Sequence, residues 1–317
     1  MMVGLRTGFL VALTTVACAE GGPTQPDPVS LGFGPVREFS NRREVEVGFQ
    51  GVDGAVLSGT LILPRAPGRY AAIVMHFGSD RWTRATFEGA NLGWWIDHGI
   101  AVLTYDKRGV GKSQGVCCPW READYFPLLG GDVASAVRIA RTHPEIAPDG
   151  VGAWGFSQGG WVVPAAAAEL GEALAYVIIG SGPTVTLGEE LLYSELTGDD
   201  QCRPSGLSAG EIELRLDAAG PSGFDPRPDL EAMRAPGLWI YGGRDTSVPV
   251  ARSVRILQDL AADLGKDFTS IVLPRLNHTW ILDGAMCQDT GPGGIEGALI
   301  QAWLEPRLAA RGVALRP

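Results

Sequence analysis

Residues 150–170 read "GVGAWGFSQGGWVVPAAAAEL", and the fold turns on how they divide. Residues 150–154 carry a short strand signal, and 158–170 are small, apolar and helix-like, with Pro164 near the first turns. Between them Gly155-Phe156-Ser157-Gln158-Gly159 fits G-x-S-x-G, the pattern of a serine nucleophile. The pattern alone is weak in a chain with 44 glycines, and it recurs as GKSQG at 111–115 and GLSAG at 206–210. Context separates the three. A nucleophile elbow needs a strand running into the serine and a helix starting directly after it. Oγ then stands at the C-terminal edge of a sheet, and the helix turns its positive end to a developing oxyanion. Ser157 has both neighbours. Ser113 has neither, since its preceding strand ends at Asp106 and "VCCPW" follows it. Ser208 follows a loop, and Ser208-Ala209-Gly210-Glu211 reads as a capping box.

Outward from the elbow, strand and helix signals alternate. "REVEVGF" and "AVLSGTLILP" are β-like runs around the hairpin signal Asp53-Gly54. "YAAIVMHF" at 70–77 is an unbroken apolar run, as a strand buried on both faces should be. A helical stretch at 85–98, a strand at 100–106 and a helix at 131–144, stopped by Pro144, lead into the elbow. After it come strands at 173–180, 235–243 and 267–274, an amphipathic helix at 251–265 and a closing helix at 293–312. This order predicts an α/β fold, a mostly parallel doubly wound sheet, over 44–312. Residues 181–234 break the alternation and are too long for an ordinary connection. They hold two helix-like pieces, "LGEELLYSEL" and "SAGEIELRLDAAG", and read as an inserted helical cap over the C-terminal edge of the sheet.

A serine hydroxyl is almost wholly protonated at neutral pH, so a nucleophile needs a base. Of four histidines, His76 ends a buried strand, His98 ends a helix and His143 precedes Pro144. His278, in "LPRLNHTW" after the last strand, lies on a loop at the edge where strand C-termini meet, and is the expected base. The base needs an acid to fix its tautomer. Asp245, in the Gly-rich turn of "WIYGGRDTSVPV", supplies it, and Ser157…Asp245…His278 follow one another in the chain order of hydrolases with this elbow. Oxyanion stabilisation calls for two backbone N–H groups. One is expected from Gln158 and the other from "HFGSDRW", at Gly78 or Ser79.

Together these residues resemble the α/β-hydrolase superfamily of serine hydrolases, the likeness running over roughly 45–312. "AVLTYDKRGVGKSQG" at 101–115 looks like the loop after strand 4 of esterase-like members. The resemblance implies that Asp106 and Arg108 brace the scaffold and that GKSQG belongs to that loop. It implies two-step acyl transfer: Ser157 forms an acyl-enzyme, and His278 then activates water. It implies a small ester-type substrate, with thioesters and amides as alternatives, and no cofactor or metal. The other class is a non-catalytic binding protein on the same fold, against which the complete Ser-Asp-His set argues. The cap, with Trp280 beside His278, is expected to shape the pocket.

The net charge of −10, without any basic run, argues against a nucleic-acid partner. At the N-terminus, Arg6 precedes the apolar "TGFLVALTTVACA", too short to span a bilayer comfortably. Ala17-Cys18-Ala19 offers a cleavage site; alternatively "TTVAC" resembles a lipobox, with Thr15 where leucine is usual, which would tether the protein to a membrane through Cys18. Residues 1–19 are thus expected to direct export, to the periplasm, the medium or a lipid-anchored surface position, and 20–43 to form a flexible tether. Export permits disulfides. Cys117, Cys118, Cys202 and Cys287 allow three pairings, and bridges from the 117–118 loop to Cys202 and Cys287 are expected, the two neighbours not pairing with each other. With four histidines and no C-x-x-C spacing, a metal site is not expected.

Overall fold

The computed structural model describes residues 29–88, 92–119, 122, 124–288 and 297–315. The expected signal segment, with Cys18, and residues 20–28 of the expected tether lie outside them. Strands β1 (Gly32–Glu38), β2 (Arg42–Gln50), β3 (Val56–Pro64), β4 (Tyr70–His76), β5 (Ile100–Tyr105), β6 (Ile146–Phe156), β7 (Val177–Gly180), β8 (Gly237–Gly242) and β9 (Phe268–Leu273) form one sheet. Its order is β1-β2-β3-β5-β4-β6-β7-β8-β9. The pairs from β1 to β5 are antiparallel, and every pair from β5 to β9 is parallel. β4 and β5 are buried at every residue, which is why they read as unbroken apolar runs.

The tether expectation fails beyond residue 31. β1 pairs Gly32 with Gly48 and Arg37 with Glu44, so the folded domain begins before 44. The strand was hidden by its chemistry. Its pairing is interrupted between Phe33 and Val36, around Pro35, and most of its residues are exposed. Proline, irregular pairing and exposure mark an edge strand, and in sequence they read as loop.

The helices are α1 (Arg84–Glu88), α2 (Leu92–Asp97), α3 (Tyr125–Thr142), α4 (Gly159–Leu170), α5 (Leu187–Thr197), α6 (Ala209–Ala219), α7 (Arg227–Ala232), α8 (Val250–Leu264) and α9 (Gly297–Ala310). Side chains of α3, α4 and α8 build the core on one face of the sheet, including Phe126, Val133, Trp161, Val163 and Leu257. Those of α2 and α9 build the other, around Trp95, Ile300 and Leu304. The sheet is therefore doubly wound. α3 starts at Tyr125, earlier than the expected 131, because Gly130 and Gly131 lie inside it. A Cβ on Gly130 would stand 2.8 Å from Cβ of Ala165, so glycine is what lets α3 lie against α4.

The topology also fixes where a ligand can sit. From β4 the chain passes through α1 and α2 to β5 on one side. From β5 it returns through α3 to β6 on the other side of β4. β4 and β6 are thus neighbours whose connections leave in opposite directions, and a crevice opens at their C-terminal ends. Residues 77–80 follow β4 there, and Ser157 follows β6. Helices α5, α6 and α7 fill the insertion between β7 and β8; α7 is a third helix that the sequence did not announce.

Candidate active site

Ser157 has φ of +50°, a left-handed conformation rare for a residue with a side chain and characteristic of functional turns. The turn is held from both sides. Ser157 N–H donates to the Gly180 carbonyl (2.9 Å), and Gly160 N–H donates to the Ser157 carbonyl (2.8 Å). A Cβ on Gly155 would meet the Gly159 carbonyl oxygen at 2.8 Å, and one on Gly160 would meet the Gly182 carbonyl carbon at 2.5 Å. The glycines around the serine are required by close backbone approach.

The structure brings Ser157, Asp245 and His278 into one hydrogen-bonded line. His278 Nδ1 lies 2.8 Å from Asp245 Oδ2, and its Nε2 lies 3.1 Å from Ser157 Oγ. An ionised carboxylate only accepts, so Nδ1 carries the proton and Nε2 presents its lone pair to the serine hydroxyl. The other Asp245 oxygen accepts the N–H groups of Ser247 (2.9 Å) and Val248 (2.8 Å). Burial alone would lower the His278 pKa; the charge and hydrogen bond of Asp245, joined by the charges of Asp199 and Glu190, outweigh it and move it above the ordinary histidine value.

The loop that carries His278 is held by its own Asn277 and Trp280 and by Ser181, which follows β7. Asn277 Oδ1 accepts the Ile281 N–H (2.8 Å), and the Ser181 hydroxyl donates to the His278 carbonyl (2.7 Å). The indole N–H of Trp280 donates to Ser181 Oγ (3.0 Å). Trp280 is buried, with its ring 6.1 Å from that of Phe156. It supports the His278 loop from beneath and does not line the cavity, contrary to the expectation that it would shape the pocket.

The other three histidines and the serines of the other two G-x-S-x-G matches lie elsewhere. His76 is buried with Nδ1 2.9 Å from the Tyr105 hydroxyl; His98 Nδ1 lies 2.7 Å from the Trp94 carbonyl; His143 packs on Phe33. Ser113 donates to the Asp106 carbonyl (2.6 Å) and accepts from Ser58 N–H (3.0 Å), knitting its loop to β3. Ser208 and Glu211 form the capping box of α6. Asp106 accepts the N–H groups of Arg84 and Lys112, and the buried Arg108 pairs with Asp132 through two bonds, 2.9 and 2.6 Å.

Gln158 stands directly before α4, where the first N–H groups of a helix have no intrahelical acceptor. Gly78 lies against the elbow: a Cβ on it would stand 3.5 Å from Ser157 Cβ. A cavity of about 290 Å³ opens over Ser157 and Gln158. Ser79 and Asp80 line it from the loop after β4, and Leu187, Glu190 and Leu191 line it from α5 of the cap. Burial pushes the Glu190 carboxyl up to about 8; the charges of Asp245 and Asp199 add to this and His278 opposes it. Sequence reasoning missed two side chains at this site, Glu190 and the buried Lys107. Lys107 lay inside the quoted 101–115 segment, but nothing in the sequence shows that its ammonium turns inward.

The cysteines pair otherwise than expected. Cys202, after α5, is bonded to Cys287, beyond His278, with Cα atoms 5.4 Å apart. The cap folds onto the His278 side of the sheet. The 117–118 loop stays at the β3 edge, where Gln114 N–H donates to the Val56 carbonyl (2.9 Å).

A family model described as X-Pro dipeptidyl-peptidase (S15 family) matches residues 53–195. The chain is similar to Thiohydrolase aneE of Aspergillus aculeatus, 34% identical over 122 residues, which is 36% of this chain. The match spans about a third, 34%, of that relative's own length. Among solved structures it is similar to a puromycin-hydrolyzing peptidase of Mycobacterium tuberculosis, with TM-score 0.63, 16% identity and coverage of 87% of this chain and 40% of that one. It is also similar to the alpha/beta hydrolase GrgF of Penicillium sp. sh18, with TM-score 0.57, 20% identity and coverage of 84% and 99%. The strand order and these structural likenesses give the chain the α/β-hydrolase fold.

Proposed function

We propose that this protein is a serine hydrolase that cleaves carboxylic esters through an acyl-enzyme on Ser157. The observation that carries the reading is the unbroken line Asp245–His278–Ser157 at the mouth of a cavity. In this reading His278 Nε2 takes the Ser157 proton as Oγ attacks the ester carbonyl. The imidazolium so formed is stabilised by Asp245. The oxyanion is met by the N–H of Gln158 and an N–H of the loop after β4. Collapse expels the alcohol, protonated by His278. A water deprotonated by His278 then attacks the acyl carbon, releasing the acid and restoring Ser157.

Thioester hydrolysis is the second reading, favoured by the thiohydrolase relative. A thiolate leaves with less need of protonation, so the same residues serve it. The test is labelling by a fluorophosphonate, with Ser157→Ala as control, followed by a panel of esters, thioesters and aminoacyl amides of graded acyl length. Ester turnover and labelling lost in the variant support the reading. A folded protein that neither labels nor turns over any member of the panel overturns it, and leaves the binding-protein class.

Export belongs to the same proposal, supported by the apolar 7–19 segment and its small-residue end. Mass spectrometry of the protein from its own cells should find an N-terminus at Glu20, or at a lipidated Cys18. Recovery with Met1 intact in the cytoplasmic fraction would overturn it.

A further inference from the structure

Lys107 stands two residues past the end of β5, and only 3% of it is exposed. A buried ammonium is sustained only by good hydrogen bonds. Two of its three protons have acceptors: the Gly78 carbonyl at 2.8 Å and Gln158 Oε1 at 2.7 Å. These acceptors belong to the two segments that flank Ser157, the loop after β4 and the residue that opens α4.

The consequence follows from peptide geometry. In a trans peptide the C=O and the following N–H point in opposite directions. An ammonium that holds the Gly78 carbonyl inward therefore holds the Ser79 N–H outward, and Ser79 is a residue that lines the cavity. The second bond draws the Gln158 side-chain amide down to Lys107, away from the N–H of its own residue. We infer that Lys107 is a positioning residue of the oxyanion hole: it sets the Gly78–Ser79 peptide and Gln158 together, so that the N–H groups of Ser79 and Gln158 face the reacting carbonyl. This rests on the reading of Ser157 as the nucleophile.

The surroundings agree. Burial brings the Lys107 pKa down to about 7, opposed by the charge of Asp80 from the loop after β4. His76, at the end of β4, is kept neutral by burial first and then by the Lys107 charge. Negative charge developing on the substrate oxygen, beyond the Gly78–Ser79 peptide, would favour the protonated lysine, so the clamp tightens as the oxyanion forms.

The test compares wild type, Lys107→Met and Gln158→Ala on one activated ester, with rates per active site titrated. Affinity for an alkyl boronic acid, which forms a tetrahedral adduct on the serine, is measured alongside. For Lys107→Met we expect kcat to fall about 10- to 100-fold, less than the loss of a direct oxyanion donor. KM should change less than threefold, and boronate affinity should fall in parallel with kcat/KM. A purely structural lysine would lower the melting temperature and the active fraction but leave kcat per titrated site intact. The double variant should be no worse than Lys107→Met, because both changes remove one clamp. If Lys107→Met keeps kcat and boronate affinity within twofold, the inference is overturned. If it does not fold, Gln158→Ala decides: it keeps the backbone N–H and loses the acceptor. A kcat loss of several-fold at constant KM supports the clamp, and unchanged kcat overturns it. A wild type that neither turns over nor labels overturns the hydrolase reading and this inference together; an active wild type matched by the variants overturns this inference alone.

Discussion

Asp245 meets His278 with one carboxylate oxygen and its own turn with the other. Oδ2 faces Nδ1 at 2.8 Å, while Oδ1 is occupied by the N–H groups of Ser247 and Val248. The carboxylate therefore cannot swing, and the imidazole inherits its orientation from the backbone after β8. Since Asp245 raises the His278 pKa, the imidazole stays protonated until the pH passes above the ordinary histidine value, and the base of the proposed mechanism is idle below it. The acid limb of kcat/KM should have its midpoint above about 6.5. Asp245→Asn should reduce kcat by about four orders of magnitude through the wrong tautomer. A pH–rate profile flat through the acid range would contradict the arrangement.

Glu190 gives a second, separate pH effect. Its folded pKa, about 8, exceeds the ordinary value of 4.5. The folded protein therefore holds a proton that the unfolded chain releases, so stability from this group is full below about 4.5 and is lost as pH rises toward 8. Glu190→Gln should remove that slope. Urea midpoints at several pH values from 5 to 8 should converge for the two proteins at the acid end and separate at the alkaline end, the variant being the more stable (range from the pKa values above). Parallel curves would show that the carboxyl is ionised throughout.

Arg108 and Asp132 are a buried ion pair, with side chains 2% and 0% exposed. Removing one charge leaves the other unpaired in the interior, at a cost of about 3–5 kcal/mol. Arg108→Met should therefore lower the denaturant midpoint sharply, whereas Asp53→Ala, which removes the arginine's half-exposed partner, should cost about 1 kcal/mol or less. Equal losses in the two variants would contradict the ranking.

The Cys202–Cys287 bond closes a loop of sequence separation 85 and joins the cap to the segment beyond His278. Its removal in Cys202→Ser/Cys287→Ser should destabilise the protein by about 2–4 kcal/mol. Because the bridged segment lies near the base, kcat should fall as well, and mild reductant should reproduce the effect in the wild type only. Thermal melts and kcat unchanged by both treatments would show that the bond ties nothing that matters to the site.

The legible part of this protein was local. Ser157 could be chosen from three matches because strand, serine and helix are contiguous. His278 and Asp245 could be chosen because each follows a strand whose C-terminus must reach the same edge. What escaped depended on contacts between segments remote in sequence. Lys107 has a meaning only where the end of β5 passes beneath the β4 loop and the elbow. The cysteine pairing depended on which way the cap folds. Gly130 and Gly131 looked like a break before α3 and are instead its contact with α4. β1 was disguised by Pro35 and by exposure. Trp280 was placed correctly beside His278, but its side chain turned the other way, toward Phe156.

β7 and β8 pair directly, Val177 with Gly237 through Gly180 with Ile240, although α5, α6 and α7 lie between them in the chain. The two strands need nothing from the cap to find each other. Substitutions at Leu187, Glu190 and Leu191 of the cap therefore leave every strand register intact, and Ser157, Asp245 and His278 keep their places beyond the ends of β6, β8 and β9. On the proposed function, what is bound and how it is cut are thus carried by separable parts of the chain: the cap can be altered for the one while the frame that serves the other is left as it is.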